Sequence, residues 1–223
     1  SFLKAIVVYE WHELMCSKRG VQVELCTAAI RDFNNKTSIW GISATIGNLD
    51  KAKEVLLGYI NEKNQGVLIK STIKKRILVK SIAPKEIKQL PWRGHLGLNL
   101  SKYLAPIIKK SKSTLIFTNT RKKCELWYQK LLDEIPQLAG NMGMHHGSID
   151  RNIRLWVEDT VRNEQLKVVV CTSSLDLGVD FHPVESIVQI GGPKGVARFI
   201  QRAGRSGHRP NETLSLIHIS EPT

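Results

Sequence analysis

Several features that would define other classes of protein are missing from this sequence. No stretch approaches the roughly 18 consecutive apolar residues of a transmembrane helix, and no basic segment followed by an apolar one opens the chain as a secretory signal would. The four cysteines, Cys16, Cys26, Cys124 and Cys171, include no Cys-x-x-Cys spacing, and most lie in apolar patterns. We therefore expect a cytoplasmic protein whose cysteines are buried free thiols and not metal ligands or disulfides.

Acidic residues are scarce relative to basic ones, with 20 Asp and Glu against 33 Lys and Arg and a formal net charge of +13. The excess is concentrated in residues 67–112, which contain twelve Lys or Arg and one acid, Glu86. Such a block attracts phosphate backbones, so a nucleic-acid partner is one interpretation. A solvated lysine-rich linker is the other, because lysine without interleaved aromatic residues provides charge but no stacking platform.

The order of apolar and helical segments predicts parallel sheets. Short apolar strands alternate with helical periods, and connections of this length require parallel crossovers. The predicted strands are residues 3–8, 37–42, 67–70, 77–82, 114–117, 167–171 and 186–190, and the predicted helices are residues 20–33, 48–59, 96–108, 121–132, 150–162 (capped by Ser148) and 194–203. We expect a doubly wound α/β fold in two parts, residues 1–83 and 84–213.

Residues 214–223 fit nothing that precedes them. They look like translated sequencing-adapter read-through, although the alternation of Leu214, Ser215 and Leu216 also permits a C-terminal strand. We expect a non-native tail and exclude it from the functional interpretation.

Arg202 and Arg205 stand three residues apart at the end of a predicted helix, which Gly204 and Gly207 then stop. Arginine stays protonated and presents a planar fork of donors, so such a pair suits a phosphate whose charge must be stabilised during transfer. A solvated basic helix end with a glycine cap is the alternative for this stretch taken alone.

Five short motifs follow one another along the chain. They are Glu10-Trp11-His12, Ser43-Ala44-Thr45, Thr118-Asn119-Thr120-Arg121, residues 172–180 and residues 199–207. In this order they resemble motifs II to VI of superfamily 2 helicases, and residues 91–98 (PWRGHLGL) make the chain similar to the Lhr-type, ligase-associated DExH-box group. The resemblance covers residues 3–210. It implies RecA-like sheets, with the end of a first lobe followed by a nearly complete second lobe.

The resemblance also assigns roles in nucleotide chemistry, with ATP and Mg²⁺ as the cofactors of the intact enzyme. It implies that Glu10 activates water and that Arg202 and Arg205 face the γ-phosphate. The residues implied to couple the nucleotide site to the nucleic-acid site are His12, Ser43, Thr45 and Gln201. Taken alone, Glu10 could equally be a solvated residue after a strand, and the segment from Ser43 to Thr45 a turn of small residues. The residues implied to contact the nucleotide are Gly178 and Asp180, the latter through the ribose, while Asp176 orients its neighbours.

A second group of residues is implied to contact the nucleic acid through hydroxyl, amide, imidazole and guanidinium groups. Its members are Thr118, Asn119, Arg121, His146, Thr172 and Ser173. Helix capping is the alternative for Thr118 and Asn119. The adjacent His145 and His146 do not predict a metal site, because their side chains diverge and no third ligand stands at a useful spacing.

The sequence departs from the family in two features that matter for the binding and hydrolysis of ATP. Tyr9 stands where the family has the aspartate that holds magnesium, and a phenol is a poor ligand for a hard cation. No Gly-x-x-x-x-Gly-Lys-Ser/Thr phosphate loop occurs in the chain. We therefore expect a fragment of an ATP-dependent DNA helicase, monomeric and acting on single-stranded or partly duplex DNA, with RNA not excluded. A catalytically dead nucleic-acid-binding remnant is the alternative, and an unrelated α/β binding protein would require all five motifs to be coincidental.

Overall fold

The computed structural model describes residues 3–15, 17–43, 46–58, 66–71, 76–82, 98, 100–176, 184–206 and 214–219. The chain divides into two compact units, Ser1–Thr72 and Ile73–Thr223. Among the helices described in these ranges, none combines the length and the apolar character needed to cross a membrane.

The first unit is built on two parallel strands, β1 (Ala5–Tyr9) and β2 (Ser38–Ile42). Its helices are α1 (Trp11–Leu14), α2 (Lys18–Phe33) and α3 (Leu49–Leu57). Helix α3 begins where the sequence predicts, because the Asn48 side chain accepts a hydrogen bond from the Lys51 N–H at 3.0 Å. The buried Trp11 packs under this helix, and its indole Nε1 donates to the Ala52 carbonyl at 3.1 Å.

The second unit contains a six-stranded sheet in which every pairing is parallel. Its strands are β3 (Ile77–Ile82), β4 (Thr114–Phe117), β5 (Met142–His145), β6 (Val168–Cys171), β7 (Ser186–Ile190) and β8 (Leu214–Ile219), and they lie in the order β3-β8-β7-β4-β6-β5. Its helices are α4 (Ser101–Lys110), α5 (Arg121–Glu134), α6 (Arg151–Arg162) and α7 (Val196–Ala203).

Two apolar cores cover the two faces of this sheet. One contains side chains of α4 and α5, such as Leu104 and Trp127, and the other contains side chains of α6 and α7, such as Val157 and Ala203. Because side chains alternate along a strand, β4 contributes Ile116 to the first core and its neighbours to the second. Each fully buried aliphatic or aromatic side chain contributes about 1.5–3 kcal/mol to stability. The predicted doubly wound α/β fold is confirmed.

The structure divides the two units at residue 72 and not at residue 83, and it forms a strand from residues 214–219 of the predicted tail. β3 belongs to the second unit because it pairs with β8, in a register that runs from Ile77 opposite Leu214 to Ile82 opposite Ile219. β8 also pairs with β7, so residues 214–219 lie within the sheet and the C-terminal strand that the alternation permits is the one observed. The apolar side chains Leu216, Ile217 and Ile219 are buried there, which accounts for the pairing.

Four local predictions also differ from the structure. Residues 67–70 form no strand, and Val67 and Ile69 are exposed. β5 is a strand that the pattern did not predict. Helix α4 begins at Ser101, and Asp150, not Ser148, caps α6 by accepting a hydrogen bond from the Asn152 N–H at 2.8 Å.

The cysteines are free thiols where they are described. Cys124 and Cys171 are buried as expected, but Cys26 is exposed, and Cys16 lies outside the described residues. Burial raises the pKa of Cys124 to about 12 and raises the pKa of Cys171 well above its usual value. Both buried cysteines therefore remain protonated and act as small apolar side chains.

Candidate functional site

The carboxyl ends of β4, β5 and β6 meet at one edge of the second unit's sheet, because these strands are parallel neighbours. Main-chain hydrogen bonds join the residues that follow them. The Thr118 N–H donates to the Cys171 carbonyl at 2.8 Å, and the Thr172 N–H donates to the His145 carbonyl at 3.2 Å. Four residues predicted to contact nucleic acid lie at this edge at least partly exposed, and we call them the strand-end surface: Asn119, Arg121, Thr172 and Ser173.

Asn119 and Arg121 form the part of this surface next to α5. The Asn119 Nδ2 donates to the Gly192 carbonyl at 2.8 Å, which joins the end of β4 to the loop after β7. Arg121 is exposed at the first position of α5, and one of its terminal nitrogens is 3.9 Å from the place where a Cβ on Gly147 would lie. The guanidinium therefore lies beside the loop that follows β5.

Three cations occupy the first turn of α5. Arg121, Lys122 and Lys123 stand there without an acidic residue, and the helix is capped by Thr120, whose hydroxyl accepts from the Lys123 N–H at 3.2 Å. A helix N-terminus already carries partial positive charge, so cations at this end oppose the helix dipole at a cost of a few tenths of a kcal/mol each. The strand-end surface is consequently positive.

Thr172 and Ser173 form the other part of the surface, after β6. Ser173 is exposed and begins a short 3₁₀ turn (Ser173–Leu175), whereas Thr172 is half-buried. The Thr172 Oγ1 lies 3.5 Å from the Ser174 Oγ, so the neighbouring hydroxyl is close to it.

Thr118 does not belong to this surface, which corrects the sequence prediction. Its side chain is completely buried, and its hydroxyl lies 3.1 Å from the Cys171 carbonyl and 3.2 Å from the Thr120 carbonyl. The hydroxyl is thus used inside the protein, where it ties β4 to β6. It does not cap α5 either, because Thr120 does.

His146 is the second predicted contact that the structure contradicts. The residue is 3% exposed, and its Nε2 faces Glu125 of α5 at 3.4 Å without making a hydrogen bond. Its imidazole packs beneath the surface because α5 covers it. The described residues contain no group of three or more His, Cys, Asp or Glu placed to hold a metal ion.

Arg202 points into the protein, contrary to the prediction that it faces a γ-phosphate. Its Nε donates to the Asp176 Oδ1 at 2.7 Å and its Nη2 to the Asp176 Oδ2 at 3.0 Å, while its Nη1 donates to the Gln189 Oε1 at 2.5 Å. The guanidinium carbon also lies 4.6 Å from the centre of the Phe117 ring. Since Arg202 is 2% exposed and bound on all sides, it cannot reach a ligand in this conformation.

Arg205 lies closer to solvent than Arg202 and contacts the same acidic residue. It is half-buried, and its Nη2 donates to the Asp176 main-chain carbonyl at 2.8 Å. Asp176 therefore holds both arginines, one through its carboxylate and one through its backbone. The expectation that Asp176 orients its neighbours matches these contacts.

In the first unit, the structure brings Glu10, His12 and Ser43 together. The His12 Nδ1 lies 2.7 Å from the Ser43 Oγ and 3.4 Å from the Glu10 Oε2. That carboxylate oxygen is buried without a hydrogen-bond partner. Glu10 adopts a left-handed backbone conformation (φ 53°, ψ 45°), which is strained for a residue other than glycine.

The remaining sequence predictions fall on residues with less structural information. Tyr9 is the last residue of β1 and is 66% exposed. Its side chain is a phenol and provides no carboxylate ligand for a cation. Gln201 is half-buried on α7. Thr45, Gly178 and Asp180 lie outside the described residues.

Three polar residues near these sites were not assigned by the sequence interpretation. Gln189 is buried at the end of β7 against Arg202, and Ser174 and Glu158 contact the His145 imidazole at 2.7 and 2.9 Å. Gln189 did carry a signal, because a polar residue within an otherwise apolar strand needs a buried partner. Ser174 and Glu158 are ordinary in their local patterns and carried none.

Comparison with known proteins agrees with this architecture. Residues 99–209 match the family described as helicase conserved C-terminal domain. The chain is 32% identical over 214 residues to ATP-dependent helicase Lhr-Core protein 2 of Thermococcus barophilus, and 34% identical over 221 residues to ATP-dependent helicase Lhr-Core of Methanocaldococcus jannaschii. The alignments cover 94% and 98% of this chain but 25% of each relative, so the chain spans about a quarter of their length.

Solved structures with the same fold are also helicases. Mycobacterium smegmatis helicase Lhr, solved with ssDNA and AMP-PNP bound, matches with a TM-score of 0.84 and 23% identity over 97% of this chain and 28% of its own. The DUF1998 helicase MrfA, solved with DNA bound, matches with a TM-score of 0.78 and 22% identity over 99% of this chain and 31% of its own. With its five ordered motifs, its parallel sheet and these relatives, the chain belongs to the Lhr-type superfamily 2 helicases and contains their RecA-like C-terminal lobe.

Proposed function

We propose that the second unit binds single-stranded nucleic acid at the strand-end surface, as one lobe of an ATP-dependent helicase that moves along a DNA strand. The observation that carries this proposal is the grouping of amide, hydroxyl and guanidinium side chains at one sheet edge, above a helix whose first turn holds three cations and no acid. Such groups are donors that suit phosphate and sugar oxygens.

The charge at this surface supports a phosphate backbone as the ligand. The α5 cations oppose the helix dipole in the unbound protein, and an anion at the same place interacts favourably with both the cations and the helix N-terminus. Binding of this kind releases counterions, so affinity falls as the salt concentration rises.

A single strand is the form of nucleic acid that the surface chemistry favours. Hydroxyl and amide groups at a strand edge can follow one sugar–phosphate backbone. DNA is favoured over RNA because the chain resembles ligase-associated helicases and because the M. smegmatis Lhr and MrfA structures contain DNA. The helicase Mss116p, of the same fold, was solved with ssRNA, so RNA is included in the test below.

For ATP hydrolysis in the whole helicase, Arg205 is the arginine that we assign to the γ-phosphate. It reaches the surface from the end of α7, whereas Arg202 is committed to Asp176 and Gln189. Glu10, His12 and Ser43 are the residues of the first unit that we assign to water activation and to coupling. The contact between His12 and Ser43 supports their coupling role.

The residues described here do not fit a bound magnesium ion. The position that should supply a carboxylate holds instead the exposed phenol of Tyr9, which is a poor ligand for a hard cation. The chain also contains no phosphate-loop sequence. We therefore derive no hydrolytic step from this chain.

Tyr9 also favours a second candidate function, which is nucleic-acid binding without ATP hydrolysis. A protein that carries Tyr9 in place of aspartate would bind nucleic acid at the strand-end surface but would not hydrolyse ATP. Both candidates use the strand-end surface in the same way, and they differ in whether the complete protein turns over ATP.

The binding proposal is tested by titrating the 223-residue chain into fluorescein-labelled oligothymidylate and oligouridylate and following anisotropy. Arg121→Ala should weaken binding several-fold and reduce the slope of log affinity against log salt by about 1. Arg162→Ala is the matched control, because it removes one exposed positive charge at the far end of α6. Equal affinity of both variants, or binding that is insensitive to salt, would contradict the proposal. Tighter binding to the RNA oligomer would contradict the preference for DNA.

A further inference from the structure

His145 connects three elements around the strand-end surface. It is the last residue of β5 and is 1% exposed. Its Nδ1 lies 2.7 Å from the Ser174 Oγ in the turn after β6, and its Nε2 lies 2.9 Å from the Glu158 Oε1 on α6. Neither the helicase motifs nor the nucleic-acid contacts give this imidazole a role.

The partners of His145 determine how its protons are arranged. A carboxylate only accepts hydrogen bonds, so the His145 Nε2 is protonated and donates the hydrogen bond that Glu158 accepts. Burial lowers the pKa of His145, which keeps the imidazole neutral at pH 7 and leaves the Nδ1 as an acceptor. The Ser174 hydroxyl is then the donor of this contact, and its proton faces two acceptors, the His145 Nδ1 at 2.7 Å and the His145 carbonyl at 2.9 Å. Since both acceptors belong to His145, this residue orients the hydroxyl.

Ser174 is attached to the residues that form half of the strand-end surface. It follows Thr172 and Ser173 directly, and its Oγ lies 2.9 Å from the His145 carbonyl. That carbonyl also accepts the Thr172 N–H at 3.2 Å. Side chain and backbone of His145 therefore both contact this segment.

We propose that His145 is a positioning residue that holds Ser174, and through it the Thr172–Ser173 segment, in the conformation that contacts nucleic acid. The inference rests on the proposed function of the strand-end surface. His145 does not touch the ligand, because it lies wholly beneath the surface. Glu158 contributes by fixing the tautomer in which the Nδ1 accepts.

Two substitutions of His145 separate its two hydrogen bonds. The amide of an asparagine reaches about the position of the Nδ1, and the longer glutamine reaches about the position of the Nε2. His145→Asn keeps the link to Ser174 and loses the link to Glu158, whereas His145→Gln does the reverse. Ser174→Ala removes the link from the other side, in a residue that is only partly buried and tolerates truncation more readily.

The test measures the affinity of each folded variant for labelled oligothymidylate, together with its thermal unfolding midpoint. We expect Ser174→Ala and His145→Gln to bind about fivefold more weakly, as for the loss of one net hydrogen bond, and His145→Asn to bind like the unmutated chain. A role in stability alone would lower the midpoint of the variants while leaving the affinity of the folded protein unchanged.

The outcomes distinguish this inference from the proposed function. If the unmutated chain binds and Ser174→Ala binds equally well, the positioning role is wrong and the surface proposal stands. If His145→Gln does not fold, Ser174→Ala still decides the question. If the unmutated chain does not bind the oligomer at all, the surface proposal fails and this inference fails with it.

Discussion

Arg202 holds Asp176 in a two-pronged ion pair, Nε to Oδ1 at 2.7 Å and Nη2 to Oδ2 at 3.0 Å, with both residues buried. The pair joins the segment after β6 to α7. These two elements belong to two of the five helicase-like motifs, residues 172–180 and residues 199–207. The same aspartate accepts Arg205 at its carbonyl. The buried Arg202 therefore fixes the position of Asp176, whose main-chain carbonyl binds the more exposed Arg205.

Loss of Arg202 should destabilise the second unit strongly. Arg202→Ala removes both hydrogen bonds of the ion pair and leaves the buried Asp176 carboxylate with the longer Arg198 contact, Nε to Oδ2 at 3.6 Å, at a cost of up to about 3–5 kcal/mol in the free energy of unfolding. Arg205→Ala removes the partly exposed hydrogen bond to the Asp176 carbonyl and should cost less, about 1 kcal/mol. Urea unfolding followed by circular dichroism measures both. Similar losses for the two variants would show that the ion pair does not stabilise the unit as described.

Arg205 should matter for turnover in the complete helicase. In the protein extended to the length of its relatives, Arg205→Ala should lower the ATPase rate by roughly 10³-fold if this guanidinium stabilises charge on the γ-phosphate. Affinity for single-stranded DNA should change little, because Arg205 lies outside the strand-end surface. Equal losses of turnover and of DNA affinity would identify Arg205 as a strand contact.

Tyr9 decides between the two candidate functions. The extended protein carrying Tyr9→Asp should hydrolyse ATP in a magnesium-dependent way, whereas the protein with Tyr9 should be nearly inactive, since a carboxylate is the ligand that the cation requires. The measurement is ATPase activity across magnesium concentrations. Similar activity in both proteins would show that Tyr9 is not at the metal position and that Glu10 and His12 are wrongly matched to motif II.

The stability of the second unit should depend on pH through His145. Its pKa in the folded protein is lowered from 6.5, chiefly by burial, with Glu158 raising it and Arg154 and His146 lowering it further. Between the lowered pKa and 6.5 the unfolded chain binds a proton that the folded chain does not. The free energy of unfolding should therefore fall as the pH is lowered through this interval, by at most about 1.4 kcal/mol per pH unit.

His145→Asn is the comparison for this pH dependence, because asparagine does not titrate. Urea unfolding of both proteins between pH 5 and pH 7 gives the difference between their stabilities. The unmutated chain should lose stability relative to the variant as the pH falls. A constant difference would show that His145 is not the group responsible.

The strands of the second unit were largely predictable because their signal is local. β4 and β6 are short runs of three and four apolar residues, respectively, that are buried on both faces, and the sequence prediction placed both within one residue of their observed bounds. β5 was missed because Met-Gly-Met-His contains no β-branched residue. Its glycine is closely packed, since a Cβ on Gly143 would lie 2.9 Å from the Leu166 Cδ1, and that contact is invisible in the pattern.

The functional residues were harder to predict because spacing along the chain does not give direction in space. Arg202 and Arg205 are three residues apart, yet one is turned inward by Asp176, which lies 26 residues earlier in the sequence. Thr118 and His146 follow strands at the same edge as the strand-end surface, but their side chains are taken up by internal contacts. The motifs thus pointed to one edge of the sheet without identifying which of its side chains are exposed.

The central claim, that the strand-end surface binds a single strand, is tested most directly by hydrogen–deuterium exchange of the chain with and without saturating oligothymidylate. The account predicts slower exchange in the peptides that contain residues 119–123 and 172–174. It predicts no change at the opposite edge of the sheet, in the peptide that contains Arg162 to Lys167. Protection confined to the opposite edge or to the first unit, with none at residues 119–123 and 172–174, would contradict it.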